Sequence, residues 1–143
     1  MKKSVRLIYY FTVVISALVG LWHFFVPWMF QWYDYLPMQY ENLIVGIDWT
    51  NYCFSLLLFG LSTVLIILGK KALSGNKETI IFYWFISLVW TFRACLALFI
   101  EPWPIEPIPA AAIGQLIASC LIAVLMIFVS CSFFKSLFTN RNI

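Results

Sequence analysis

Four apolar stretches, each long enough to cross a bilayer, restrict this 143-residue chain more than any motif in it. They cover residues 7–30, 50–69, 79–100 and 110–134. A membrane helix needs about 20 apolar residues, at 1.5 Å each, to span about 30 Å of hydrocarbon. A lone segment crossing lipid must satisfy its own backbone polar groups, so stretches of this length predict helices. Composition agrees, with 64% hydrophobic and only 10% charged residues, where a soluble domain carries roughly a quarter charged. The remaining connections are too short for a second folded unit. The predicted fold is therefore all-α: one polytopic membrane domain over residues 1–143, a four-transmembrane-helix bundle.

The charges outside these stretches are sorted by side. Eight of the nine basic residues occupy the N-terminal segment (Lys2, Lys3, Arg6), the second connection (Lys70, Lys71, Lys77) and the C-terminal tail (Lys135, Arg141). The first and third connections hold Asp34, Glu41, Asp48, Glu101 and Glu106, with no Lys or Arg. Short basic loops stay on the cytoplasmic side, so both termini are expected inside a cell (inner) membrane, with the acidic loops outside. The net charge of +3 then lies where anionic lipid attracts it. So few basic residues, placed against the membrane, argue against nucleic acid as a partner. Met1-Lys2-Lys3 before an apolar run has the form of a secretory signal. The run continues through Trp22, Phe24, Phe25, Trp28 and Phe30, however, and no small-x-small site closes it, so it is read as a retained first helix.

The punctuation fits four helices. Pro27 falls near the outer end of the first, as a tolerable kink. Asp48 or Thr50 is expected to cap the second, and Gly69-Lys70-Lys71 to end it. Ser74-Gly75-Asn76 reads as a turn, with Asn76 capping the third helix. Four prolines within residues 101–109 predict a stiff extended connector. In the first outer loop Leu36, Tyr40, Leu43, Ile44 and Ile47 recur on one helical face, with Pro37 at its first turn. That spacing predicts a short helix lying flat on the interface, ringed by Trp28, Trp32, Tyr33, Tyr35, Trp49 and Trp103 as an aromatic belt.

Each of three helices carries small or polar residues at helical spacing: Thr12, Ser16, Gly20 and His23 in the first, Asn51, Ser55 and Ser62 in the second, Gln115, Ser119 and Ala123 in the fourth. Such stripes mark helix–helix contacts in lipid, where they let backbones approach. The bulkier members share a level. His23 and Arg93 fall roughly 10–12 Å from the outer ends, Gln115 roughly 8 Å, and Asn51 shallower. Arg93 has no charged neighbour for the seven residues before Glu101, and a charge inside a membrane helix costs at least about 2.5–3.5 kcal/mol. It is expected to turn inward toward Asp48, Glu101, Asn51, Gln115 or an anionic ligand headgroup. His23, the single histidine, suits a hydrogen bond to a quinone carbonyl or lipid headgroup better than a metal, which wants several ligands.

The four cysteines (Cys53, Cys95, Cys120, Cys131) form no CxxC and are read as small buried hydrophobes, Cys53 and Cys95 alone being placed to approach one another. No mid-membrane carboxylate, filter-like loop, nucleotide motif, nucleophile elbow or HExxH is present in the sequence. No catalytic residue is assigned.

Gly20-Leu21-Trp22-His23-Phe24 late in the first helix, Gly60 in the second and the Arg-bearing third helix resemble the DoxX-like group of small bacterial four-helix membrane proteins. The resemblance implies an accessory membrane subunit, associated in some members with quinone-linked electron transfer or thiol stress. The leading expectation is an outer-leaflet polar pocket for an amphipathic ligand, a quinone or lipid. Arg93, His23, Asn51 and Gln115 would form its polar part, and Trp22, Trp28 and Trp90 its apolar walls. An accessory subunit bound to a membrane protein partner is the alternative, and a small transporter ranks third.

Overall fold

A computed structural model describes residues 2–36, 38–100 and 109–139. Among these every regular element is helical: α1 (Lys3–His23), α2 (Val26–Met29), α3 (Trp32–Tyr35), a 3-10 turn (Met38–Tyr40), α4 (Glu41–Ile67), α5 (Gly69–Leu73), α6 (Lys77–Cys95) continued as a π-helical turn (Leu96–Ile100), and α7 (Pro109–Thr139). Four helices are long and apolar enough to cross a membrane, over Lys3–His23, Glu41–Ile67, Lys77–Ile100 and Ile113–Leu137. The all-α class and the count of membrane-length helices are as expected, and the chain is a multi-pass membrane protein. Large apolar side chains stay exposed along all four, among them Leu18, Leu57, Leu88 and Ile117. In water such surface would aggregate, whereas in a bilayer it meets acyl chains.

Two boundaries differ from the sequence reading by seven residues or more, each for a physical reason. The first helix stops at His23 rather than running to residue 30, because Pro27 offers no N–H to the carbonyl four residues back and its ring crowds that carbonyl. A turn over Phe24 and Phe25 follows, and Pro27 falls at the start of α2, which suits its fixed φ. The periodic stretch from Leu36 does not make a separate flat helix. Apart from the 3-10 turn it is the beginning of α4, which continues unbroken to Ile67. Asp48 and Thr50 therefore lie inside α4 and cap nothing, the Thr50 hydroxyl donating to the Gly46 carbonyl at 2.8 Å. The short helices of this loop are α2 and α3 instead, joined through Gln31 in a left-handed conformation (φ 52°). Pro37, Trp103, Glu101, Glu106, Arg141 and the proline-rich connector (residues 101–108) lie outside the described residues.

The turn before α6 follows expectation. Gly75 takes φ +95°, which costs a glycine nothing. The Asn76 side chain then caps α6, accepting from the Thr79 backbone N–H at 3.0 Å and from its hydroxyl at 2.7 Å. Gly69 does not end α4 in a left-handed cap. It opens α5, and the ring of Tyr10 packs where its Cβ would be.

Contacts gather the chain into two compact units, residues 1–12 with 67–143, and residues 13–66. The core of the first is aromatic. Tyr9 stacks on Tyr83 with centroids 4.9 Å apart, and both meet the edge of Phe133, at 6.0 and 5.4 Å. All three rings are buried, and the Tyr83 hydroxyl pairs with that of Thr12 at 3.2 Å. The second unit is joined by small residues. Gly20 of α1 lies so close to α4 that a Cβ there would fall 2.4 Å from the Phe59 backbone nitrogen. One turn away the Ser62 hydroxyl donates to that of Ser16 at 2.8 Å. Thr12, Ser16, Gly20, Ser55 and Ser62 are all buried, so these stripes are packing faces. Gly60, by contrast, faces open space.

The cysteines correct the sequence reading. All four are free; Cys53, Cys95 and Cys131 are exposed and Cys120 half-buried. They lie on faces that in a bilayer are apolar outside as well as inside, so hydrophobicity does not distinguish the two.

Candidate functional site

Arg93 is the organising residue of a polar group inside the first unit. It follows Trp90 by almost one turn of α6, and Trp90 and Ala94 are buried on that face. Its guanidinium carbon lies 5.7 Å from the centre of the Trp90 ring, within cation–π range. Across to α7, Nε donates to the Ser119 hydroxyl at 3.3 Å and Nη2 donates to the Gln115 side-chain carbonyl at 3.2 Å. Gln115 and Ser119 are four residues apart, so the helical repeat brings both to one guanidinium. Three residues past Arg93 the backbone widens into the π turn over Leu96–Ile100, a local expansion that recurs at functional sites.

The amide of Gln115 divides its two ends. Its oxygen faces the guanidinium, which only donates, so the orientation of the amide follows from charge. The nitrogen is then turned away, buried, and has no hydrogen-bond partner among the described residues. A buried unpaired donor of this kind costs about 1–3 kcal/mol. Chemically the group presents a cation, a hydroxyl and an amide N–H, a combination that receives a carbonyl, phosphate or carboxylate oxygen. It contains neither a nucleophile activated by a base nor a pair of carboxylates.

His23 and Asn51 belong to a second group, inside the other unit. Pro27 leaves the His23 carbonyl without its helical donor, and the Asn51 side-chain nitrogen donates to it at 3.0 Å. A backbone acceptor freed in lipid must be satisfied by a neighbouring helix, and Asn51 does this while buried. The Ser55 hydroxyl in turn donates to the Asn51 backbone carbonyl at 2.6 Å. The imidazole of His23, the last residue of α1 rather than one two turns inside it, is buried between rings, 5.4 Å from Phe54 and 5.5 Å from Trp22. Asp48 accepts from the Tyr33 hydroxyl at 2.8 Å. Lost solvation and then the Asp48 carboxylate push the Tyr33 hydroxyl above its ordinary range.

The sequence-derived residues thus fall into two pairs, Arg93 with Gln115 and His23 with Asn51, each within one unit. Trp90 lies beneath Arg93. The Trp22 indole N–H is directed at the Met29 sulfur at 3.2 Å, and Trp28 is 59% exposed, tilted 6.4 Å from Tyr52. Asn51 acts as a donor to backbone and Asp48 as an acceptor for Tyr33. Glu101, another expected partner of Arg93, lies outside the described residues. Sequence reasoning placed Ser119 only in a packing stripe, and it did not foresee that the His23 carbonyl, four residues before Pro27, would be the acceptor for Asn51. Among the described residues no group of three His, Cys, Asp or Glu side chains is placed to hold a metal ion.

No protein-family model, no curated protein and no solved structure matches this chain.

Proposed function

We propose that this is a small integral protein of a cell (inner) membrane that binds an amphipathic ligand, a quinone or a lipid, by its polar end at Arg93, Gln115 and Ser119. The observation that carries the reading is the buried, unpartnered amide nitrogen of Gln115 beside a guanidinium. A ligand oxygen accepting from that nitrogen removes the cost of leaving it unpaired, and the apolar remainder of a quinone or lipid suits the surrounding hydrocarbon. The sorting of basic and acidic loops supports both termini inside, which puts Arg93 toward the outer leaflet. The surface rings of Trp28, Tyr35, Tyr40 and Trp49 suit an aromatic belt at that interface.

A second reading, a non-catalytic accessory subunit of DoxX-like character, is favoured by one specific observation: Arg93 already donates to two side chains within its own unit. The two readings part at Arg93→Ala. Native mass spectrometry of the detergent-extracted protein should detect bound quinone or lipid in the wild type and none in the variant. Wild-type occupancy in Arg93→Ala rejects the ligand reading. A stability loss of about 1–3 kcal/mol at unchanged occupancy supports the accessory subunit, because it exposes partners left unpaired.

A further inference from the structure

A cleft of about 320 Å³ lies at the other end of the first unit, lined by Arg6, Lys70, Leu73 and Ser74. None of its lining residues belongs to α6 or α7, which carry Arg93, Gln115 and Ser119, and Arg93 lies about 24 Å along α6 from the helix start at Lys77. The inference is therefore independent of the function proposed above. Arg6 comes from the opening turn of α1, while Lys70 and Leu73 come from α5 and Ser74 follows directly. Two segments some 64 residues apart in sequence (70 minus 6) thus bring two cations to one concave surface. Neither cation makes an ion pair among the described residues, and both are exposed. Like charges held together without a counter-charge repel, and an anion between them turns that repulsion into attraction. The Ser74 hydroxyl already donates to the Lys71 carbonyl at 2.9 Å, so the cations carry the recognition.

Position and lining select the kind of anion. The cleft is built where membrane-length helices begin and end: α1 starts at Lys3, α4 ends at Ile67, and α6 starts at Lys77. Those ends fall at headgroup level, where Lys and Arg reach for phosphate. Leu73 adds a half-buried apolar wall, which a free inorganic ion would not use.

We propose that this cleft binds the phosphate of an anionic phospholipid headgroup, with Arg6 and Lys70 as its cationic contacts and Leu73 against the glycerol region. The full chain in detergent is titrated with phosphatidylglycerol and, separately, with phosphatidylcholine of the same acyl chains, bound lipid being counted by native mass spectrometry. Phosphatidylglycerol should bind the wild type more tightly than phosphatidylcholine. Arg6→Gln with Lys70→Gln should weaken phosphatidylglycerol about thirty-fold, and Lys70→Gln alone about five-fold, the values for two and one cations near an anionic headgroup. Lys71→Gln with Lys77→Gln removes the same net charge outside the cleft and should change binding by less than about three-fold. Equal weakening by both pairs overturns the site, since general charge attraction then accounts for it. Inorganic phosphate raising the thermal midpoint of the wild type as far as phosphatidylglycerol does, and losing that effect in Lys70→Gln, overturns the lipid source in favour of a soluble phosphate.

Discussion

Residues 3–12 of α1 are packed by rings, whereas residues 13–23 are packed by small side chains. Tyr9 is enclosed by Tyr83 and Phe133, while Ser16 and Gly20 meet α4 through a hydroxyl pair and a near backbone contact. Both arrangements answer the same problem. Lipid tails are as apolar as leucine, so burial of apolar surface gives helices little reason to choose one another over lipid. Rings associate through large, shaped contact area and edge-to-face geometry. Small residues associate by letting backbones approach until dispersion and hydrogen bonds count. One helix uses each device in turn.

The comparison is easiest to break at the rings. Tyr83→Ala should destabilise the protein by about 3–5 kcal/mol, the usual cost of deleting a buried aromatic side chain. Denaturant unfolding in micelles gives the size, and hydrogen exchange should place the lost protection in α6, α7 and the first half of α1. A loss under about 1 kcal/mol, within the range of a tolerated core swap, would show that ring packing does not hold that unit. Gly20→Ala comes next, at about 1–3 kcal/mol, because a methyl group directed at backbone cannot be relieved by turning a side chain. A neutral Gly20→Ala would mean that α1 and α4 separate at little cost, and the small-residue device would fall with it.

The smallest effect sharpens the comparison by testing Asn51. Asn51→Leu should cost about 1 kcal/mol, the scale of an interhelical hydrogen bond in lipid. In a Pro27→Ala background, where the backbone can supply the missing N–H to the His23 carbonyl, the same change should cost much less. Equal costs in both backgrounds would separate Asn51 from the proline, since a double-mutant cycle reports their coupling directly.

The candidate site was half legible beforehand. Arg93 and Gln115 stood out because a charge and an amide within apolar helices are costly unless something receives them. Ser119 was visible only as one member of a small-residue stripe. Asn51 stood out equally, yet its role as donor to a freed carbonyl depended on where α1 ends, and that needed Pro27 to be read as a stop. Asp48 has the chemistry of a cap but lies inside α4, away from any helix start. The helix starts earlier, since residues 41–49 have a helical period that serves a longer helix as well as a short separate one.

Length and composition by themselves determined that this chain is helical, with four helices long and apolar enough to cross a membrane. The order and spacing of residues determined the glycine turn with its Asn76 cap and which residues form packing stripes. These depend on local quantities: transfer of side chains into hydrocarbon, backbone satisfaction within a segment, and the φ preference of glycine. Only the tertiary structure decided that Tyr9, Tyr83 and Phe133 share a core, that Gly20 touches the Phe59 backbone, and that Arg93 reaches both Gln115 and Ser119. Rotation of each helix about its axis sets those contacts. In a chain whose inner and outer faces are equally apolar, hydrophobic periodicity does not specify that rotation, so it is left to the fit between side chains distant in sequence.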